Sequence, residues 1–284
     1  MTTHARPLLA GLLAGAVLLP TAGLAASPSS SAAPSVPAAS PAASLVPLEL
    51  LRWEVISRRP HDTTAWTEGF AFDAEGRLFE STGLNGRSQV RELDPATGEV
   101  LRAVPVPDDA YGEGLAIVGD DTLVQLTWKE GQAFTWAKDT LDQTGVFDYA
   151  GQGEGWGLCF DGTRLVMSNG SDRLTFRDPQ TFAVLGDVAV TAHGEPVTML
   201  NELECVDGKV WANVWQTPYI IRIDPTTGAV DGVMDATGIL VPDPAAADPG
   251  GSVLNGIAKV PGSDTFLLTG KKWPEMIEVR IPDA

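Results

Sequence analysis

The sequence contains few of the residues that build metal-dependent or nucleophilic active sites. Only 2 of its 284 residues are cysteine and only 3 are histidine. It has no His-Glu-x-x-His motif and no Cys/His cluster at the spacing of zinc ligands. A Gly-x-Ser-x-Gly elbow is missing as well. These absences argue against a zinc site and against hydrolysis by a serine nucleophile.

Positive charge and long apolar runs are scarce too. The chain has 19 Lys and Arg against 37 Asp and Glu, a formal net charge of −18. Such a surface repels nucleic acid and weakly attracts the protonated amino terminus of a peptide. The apolar run at residues 8–19 is too short to span a bilayer as a helix. We expect a monomer that binds neither nucleic acid nor a membrane.

The first 46 residues have the composition of a leader followed by a tether. Residues 1–26 combine a weakly basic start, the apolar run and a small-residue stretch, which predicts a signal peptide and a secreted, extracytoplasmic protein. The alternative is an uncleaved anchor. Residues 27–46 are nearly all Ser, Ala and Pro, which predicts a flexible linker. Residues 47–284 then form a single domain.

The rest of the chain repeats one short pattern five times, each copy placing a polar or aromatic residue just before an apolar run. The copies are Thr67-Glu68-Gly69-Phe70, Gly112-Glu113-Gly114-Leu115, Gly155-Trp156-Gly157-Leu158, Asn201-Glu202-Leu203-Glu204 and Leu254-Asn255-Gly256-Ile257. Aligned copies are 45, 43, 46 and 53 residues apart. This period is typical of β-propeller blades rather than of helical solenoids.

Turn signals divide each repeat into two β-hairpins. Asp161-Gly162 and Asp207-Gly208 mark the first hairpin of two repeats. Four strands per repeat make one propeller blade, and no sustained helical period follows residue 46. The sequence therefore predicts an all-β, five-bladed β-propeller. Because the last repeat has no room for its outer strand, we expect the N-terminal strand at residues 50–56 to close the final blade.

Register-equivalent positions of the repeats should face one central mouth. The starts of the first strands supply Glu68, Glu113, Trp156, Glu202 and Asn255, and the ends of the second strands supply Gly83, Trp128, Gly170, Trp215 and Lys271. Aromatic walls with a few polar groups are typical of a small-ligand site, and Lys271 should be exposed there. An alternative use of the acidic residues, with Asn201 and Asn255, is to hold a structural Ca²⁺ in the central channel.

The two cysteines occupy the same register in adjacent repeats. In an exported protein Cys159 and Cys205 would form a disulfide. They would equally serve as small apolar residues at equivalent core positions. The sequence leaves both interpretations open.

Eight ordered segments carry a resemblance to a known family. They are Glu80-Ser81-Thr82-Gly83-Leu84, Gly112-Glu113-Gly114-Leu115, Gln125-Leu126-Thr127-Trp128-Lys129, Gly155-Trp156-Gly157-Leu158, Leu200-Asn201-Glu202-Leu203-Glu204, Ala212-Asn213-Val214-Trp215, Leu254-Asn255-Gly256-Ile257-Ala258 and Thr269-Gly270-Lys271 with Trp273-Pro274. From about Trp66 onward the chain resembles the plant-type glutaminyl-peptide cyclotransferases, which are five-bladed propellers.

This resemblance implies an activity and a set of site residues. The reaction would convert the N-terminal glutamine of a peptide or protein to pyroglutamate with release of ammonia, without a required cofactor or catalytic metal. Glu113 matches the catalytic glutamate, which would carry protons between the attacking amine and the departing nitrogen. Asn201 and Lys271 match polar residues suited to stabilise charge on the carboxamide oxygen. The aromatic wall would comprise Trp66, Tyr111, Trp128, Trp156 and Trp215.

Two positions depart from the family pattern. Tyr111 stands where Phe is usual, and Glu68 stands where Gln is usual. As a carboxylate, Glu68 would hold the substrate α-ammonium. Two other functions remain open: a metal-dependent, lactonase-like propeller hydrolase and a non-catalytic peptide-binding propeller. Chelator sensitivity would distinguish the hydrolase, whereas the pairing of Glu113 with Lys271 is not needed for binding alone.

Overall fold

The computed structural model describes residues 47–240 and 252–282. These residues form β-strands, turns and loops, and none lies in a helix long and apolar enough to cross a membrane. The predicted signal peptide at 1–26 and linker at 27–46 lie outside the described residues.

The described strands form five main sheets in chain order, one for each predicted repeat. Two strands come before the first repeat: β1 (Glu49–Leu51) and β2 (Glu54–Pro60). Blade 1 contains β3 (Thr67–Phe72), β4 (Leu78–Thr82), β5 (Gln89–Leu93) and β6 (Val100–Pro105). Blade 2 contains β7 (Gly112–Val118), β8 (Thr122–Thr127), β9 (Gln132–Ala137) and β10 (Gln143–Asp148). Blade 3 contains β11 (Leu158–Phe160), β12 (Leu165–Met167), β13 (Arg173–Arg177) and β14 (Val184–Ala189).

The remaining strands complete the fold. A small hairpin of β15 (Thr191–Ala192) and β16 (Glu195–Pro196) follows blade 3. Blade 4 contains β17 (Leu200–Val206), β18 (Lys209–Val214), β19 (Tyr219–Ile223) and β20 (Val230–Asp235). Blade 5 contains β21 (Leu254–Lys259), β22 (Thr265–Gly270) and β23 (Glu275–Arg280). Sequential strands within each blade pair antiparallel, and the first strands β3, β7, β11, β17 and β21 contact one another at the centre. The prediction of an all-β, five-bladed propeller is confirmed.

The N-terminal strands join the last two blades. β2 pairs antiparallel with β23, so the outer strand of blade 5 comes from the opposite end of the domain. The sequence prediction placed a single strand at 50–56, but the structure divides this segment in two. β1 pairs in parallel with β20 of blade 4, and Trp53 donates its Nε1–H to the carbonyl of Asp235 at 2.7 Å where the chain crosses to blade 5. The N-terminal strands therefore pair with two blades, whereas the sequence predicted pairing with one.

Apolar clusters lie between neighbouring sheets. The cluster between blades 4 and 5 packs Trp211 against Phe266 with ring centroids 4.9 Å apart, and equivalent clusters join each other pair of neighbours. Because strand side chains alternate between faces, each inner strand supplies apolar residues to the clusters on both of its sides. Packing between sheets therefore holds the innermost strands in fixed positions around the centre.

A disulfide links two inner strands. Cys159 of β11 and Cys205 of β17 are bonded, with their Cα atoms 5.5 Å apart. Of the two interpretations that the sequence left open, the structure has the disulfide. The bond connects blades 3 and 4 near the ends of these strands that lie away from Trp156 and Asn201.

Replacing both cysteines with serine should lower the free energy of unfolding by about 2–4 kcal/mol, because the bond restricts the unfolded chain across a loop of intermediate length. Chemical denaturation of the double variant and of the native protein would measure the difference. Two titratable thiols in the native, unreduced protein would contradict the bond itself.

Candidate active site

Four of the five innermost strands have a β-bulge at the repeated motif. The strand register shifts between Thr67 and Gly69 in β3 and between Gly112 and Leu115 in β7. Equivalent shifts interrupt β17 between Leu200 and Leu203 and β21 between Leu254 and Ile257. A bulge leaves its extra residue outside the ladder and turns that side chain in a new direction. The bulged residues include Glu68, Glu113, Asn201 and Asn255.

The site is centred on two buried carboxyl groups. Glu113 and Glu68 are 6% and 1% exposed. Lys271 Nζ lies 2.7 Å from Glu68 Oε1 and is likewise buried, so the predicted exposure of this lysine is wrong. The hydroxyl of Tyr111 donates to Glu68 Oε1 at 3.0 Å, and Asn255 Nδ2 donates to Oε2 at 3.2 Å.

Burial and nearby charges together set the pKa values of the Glu113 and Glu68 carboxyl groups. Burial raises the pKa of Glu113 well above its usual range, and the charge of Glu68 raises it further against the opposing effect of Lys271. Burial also raises the pKa of Glu68, which Lys271 and Tyr111 partly offset. A carboxyl group whose pKa is raised by burial is suited to general acid and base catalysis.

Five half-buried aromatic side chains surround these polar groups. Tyr111 and Trp128 pack with centroids 5.5 Å apart, as do Trp156 and Trp215. The indole N–H groups of Trp128 and Trp156 both donate to Glu154 Oε2, at 2.8 and 3.0 Å. This contact fixes the two rings side by side. The sequence prediction missed Glu154, because only the fold brings its loop beneath both tryptophans.

Trp66 completes the wall next to the lysine. The ammonium of Lys271 lies 5.5 Å from the centre of the Trp66 ring, within the range of a cation–π contact. The structure thus brings together the predicted residues Trp66, Glu68, Tyr111 and Lys271 by direct contacts.

Glycine at two predicted mouth positions makes room for this wall. A Cβ on Gly83 would lie 2.3 Å from the Tyr111 ring, and one on Gly170 would lie 2.7 Å from the Trp156 ring. Larger side chains at these positions would push the aromatic residues out of place.

Asn201 lies next to Gly157. It is buried, and within the described residues its Oδ1 has no hydrogen-bond partner. Because a buried amide oxygen without a donor costs free energy, this oxygen is available to accept a hydrogen bond from a ligand.

The acidic residues do not gather into a metal-ligand set within the described residues. Glu202 instead accepts backbone N–H groups of Ile257 at 2.8 Å and Phe70 at 3.3 Å. Glu204 accepts the N–H of Lys259 at 2.8 Å. Burial raises the pKa of Glu202 well above its usual range and that of Glu204 to about 8. These two carboxyl groups tie blade 4 to blades 1 and 5.

A second buried ionic network lies behind the site, and the sequence prediction missed it. Glu80 accepts from Thr67 Oγ1 at 2.6 Å and from Arg91 Nε at 3.0 Å, and contacts His61 Nε2 at 3.0 Å. His61 Nδ1 lies 3.0 Å from the carbonyl of Trp273. Both ring nitrogens therefore face acceptors, which favours the imidazolium form. The network holds the start of β3, which carries Glu68, against the turn that carries Lys271.

Glu80→Gln should lower the free energy of unfolding by about 3–5 kcal/mol, because it leaves the buried His61 without its anion and leaves the buried Arg91 with only the partly exposed Asp62. Chemical denaturation at neutral pH would measure this change. The matched control is Glu92→Gln on the neighbouring strand. Its partner Arg102 is 36% exposed, so that change should cost no more than about 1 kcal/mol. Equal losses in the two variants would contradict the assignment.

The same network predicts how stability depends on pH. Burial acts to raise the pKa of Glu80, but Arg91 and His61 outweigh it and lower that pKa to about 2, from an ordinary value of 4.5. The stabilisation is therefore complete above pH 4.5 and is lost as the pH falls toward about 2. The pKa of His61 is raised above 6.5, since Glu80 outweighs the effect of burial, so its contribution is complete below pH 6.5 and declines at higher pH. Acid titration of stability should be shallower in Glu80→Gln, and equal slopes would contradict this.

Known proteins resemble this chain over most of its length. A family model described as glutamine cyclotransferase matches residues 25–281. The curated glutaminyl-peptide cyclotransferase of Arabidopsis thaliana is 36% identical over 231 residues, which cover 81% of this chain and 72% of that protein. The crystal structure of the glutaminyl cyclase of Myxococcus xanthus superposes with a TM-score of 0.73 at 38% identity, covering 82% of this chain and 97% of that one.

Proposed function

The chain belongs to the glutamine cyclotransferase family of enzymes, and on that basis we propose that it cyclises the N-terminal glutamine of peptides or proteins to pyroglutamate. In this reaction the α-amine attacks the side-chain carboxamide carbon, a five-membered lactam forms, and ammonia leaves. The observation that carries the proposal is the buried Glu113 carboxyl group, whose pKa burial raises well above its usual range, inside an aromatic wall.

Glu113 transfers protons between the attacking amine and the departing nitrogen. Its raised pKa allows the group to hold a proton at a higher pH than an ordinary carboxyl group does and to release it during the reaction. The bulge in β7 turns it out of the ladder, and the aromatic residues around it limit access of water. The reaction needs no metal in this proposal, because proton transfer and charge stabilisation come from side chains of the chain itself.

Lys271 and Asn201 bind the polar parts of the substrate. An ammonium has three N–H donors, so Lys271 can hold Glu68 and still donate to the oxygen of the carboxamide, where negative charge develops. The unpaired Oδ1 of Asn201 accepts an N–H of the substrate. The half-buried rings of Trp128, Trp156 and Trp215 pack against its apolar atoms. We place the enzyme outside the cytoplasm, on the basis of the predicted signal peptide.

The direct assay is incubation of the purified protein with a peptide that begins with glutamine. We expect a mass loss corresponding to ammonia, with equal rates in the presence and absence of a chelator. The same peptide with an acetylated amino terminus is the control and should not react, because its nitrogen is no longer nucleophilic. No mass loss would refute the function, and loss of activity that is restored by a divalent cation would refute the metal-independent mechanism.

Glu113→Gln should reduce turnover by about 10²- to 10⁴-fold, since the amide retains the shape of the side chain but cannot transfer protons. Binding of a glutaminyl peptide should persist, and calorimetric titration would measure it separately from turnover.

The matched control for this variant is Glu202→Gln, at the equivalent position of blade 4. Within the part of the chain that the structure describes, Glu202 hydrogen-bonds to backbone amides and not to Glu68 or Lys271, so the folded variant should cyclise at close to the native rate. Native turnover in the Glu113→Gln enzyme would show that Glu113 has only a structural role.

A further inference from the structure

We propose that the residues following the N-terminal glutamine of a peptide substrate bind in a polar cavity beside Trp66, and that Arg87 in the lining of this cavity favours an acidic side chain there. The inference rests on the proposed function and deepens it, because it names a feature by which the enzyme selects among glutaminyl peptides. It concerns the part of the substrate that does not react.

The cavity adjoins the active site through residues of the aromatic wall. It has a volume of about 330 Å³, and both Trp66 and Gly83 line it. Gly83 donates its backbone N–H to the carbonyl of Trp66 at 2.8 Å, and its missing side chain leaves room for the ring of Tyr111. The hydroxyl of that tyrosine in turn contacts Glu68. A cavity of this size is large enough for a small ligand, so the residues after a bound glutamine have a place to lie next to the wall.

The lining is polar, as the main chain of a peptide requires. The polar residues in it are Asp62, Thr64, Thr82, Arg87, Gln89 and Arg91. The half-buried side-chain amide of Gln89 has no hydrogen-bond partner among the described residues. An amide both donates and accepts hydrogen bonds, so this side chain can bind the N–H or the C=O group of an extended peptide.

The charges in the lining leave one cation without an acid. Arg91 Nη2 lies 2.5 Å from Glu80 Oε2, and its Nη1 lies 2.8 Å from Asp62 Oδ2. The other oxygen of Asp62 accepts from the backbone N–H of Thr64 at 2.8 Å. Arg87 is exposed, and across the described part of the chain its guanidinium has neither an ion pair nor a hydrogen bond. A free guanidinium matches a carboxylate by two parallel hydrogen bonds.

The loop that carries Arg87 is held in place before any ligand binds. The backbone N–H of Arg87 and the hydroxyl of Ser88 both donate to the carbonyl of Leu84 at 2.9 Å. Ser88 Oγ also accepts the N–H of Gly112 at 2.9 Å, and Gly112 directly precedes Glu113. Leu84 itself has a φ of 87°, in the left-handed region that leucine rarely adopts. Because the loop is already ordered, binding a peptide there costs less conformational entropy.

A second cation lies beside the same tryptophan. Lys272 Nζ is 5.1 Å from the centre of the Trp66 ring. The chain as a whole has a formal net charge of −18, so this region departs from the character of the rest of the protein. An acidic side chain is therefore attracted at this point, although the protein as a whole repels anions.

The test uses four peptides that begin with glutamine and end in an amide, with Asp or Asn at position two and Asp or Asn at position three. Asp and Asn have the same shape, so the ratio of kcat/KM for each pair reports the effect of charge. Arg87→Gln should lower the Asp/Asn ratio about two- to fivefold at one of the two positions, the range of an exposed ion pair, and Arg87→Glu should lower it further. High salt should weaken both effects.

The matched control is Arg52→Glu, which makes the same change of charge at an exposed arginine between the outer strands β1 and β2. It measures the effect of net charge alone and should leave the Asp/Asn ratios close to their native values. Equal ratios in Arg87→Glu and Arg52→Glu at both positions would overturn the inference and leave the proposed function standing. No cyclisation of any of the four peptides would instead overturn the proposed function.

A second measurement locates the peptide without catalysis. The two cysteines of the chain are joined in a disulfide, so Arg87→Cys introduces a single free thiol. A glutaminyl peptide with a chloroacetamide group on the side chain at position two or three should alkylate this thiol at least about tenfold faster than the thiol of Arg52→Cys, because binding holds the reacting groups together. An excess of unmodified glutaminyl peptide should slow the reaction. Equal rates for the two thiols would overturn the inference.

Discussion

The close approach of the innermost strands is the constraint on which the rest of the structure depends. A Cβ on Gly69 would lie 2.4 Å from the backbone N of Leu115, and one on Gly114 would lie 2.5 Å from that of Leu158. On Gly157 it would lie 1.9 Å from the carbonyl oxygen of Asn201. No side chain fits at these points, so the repeated glycine allows neighbouring blades to meet at the centre. The residue just before each glycine is then directed out of the ladder, and the motif that closes the ring also builds the site.

Buried charge explains where the polar residues concentrate. Blades 5 and 1 meet at a small apolar cluster, in contrast to the larger clusters between blades 3 and 4 and between blades 4 and 5. Next to it lie the Glu80 network and the Glu68 network, joined by Thr67, whose hydroxyl donates to Glu80 and whose carbonyl accepts from Asn255 at 2.9 Å. Each buried charge in these networks has an opposite charge or a donor in contact, as a low-dielectric interior requires. The junction between blades 5 and 1 is thus held by directional contacts that also position Glu68 and Lys271.

The sequence predicted the fold and the closeness of several candidate residues better than the contacts and burial of their side chains. The fold follows from a period of 43 to 53 residues, and the site from register-equivalent positions, because the repeat constrains backbone position. Lys271 was expected to be exposed, yet it is buried against Glu68, a residue 203 positions away in the chain. The position of Glu154 under two tryptophans and the contacts of His61 likewise depend on loops that carry no repeated pattern. Contacts between distant loops are set by tertiary packing, and a repeat period does not predict them.

The identity of residue 68 and the pKa of Glu113 are linked by one charge balance. The charge of Glu68 raises the pKa of Glu113, whereas Lys271 lowers it. Burial has the largest effect on the pKa of Glu113, and it favours the neutral acid. An amide at position 68 would remove the anion that lies 2.7 Å from the Lys271 ammonium. The carboxylate at 68 therefore does more than fill a place in the wall, because it pairs with the lysine and its charge adds to the raised pKa of Glu113.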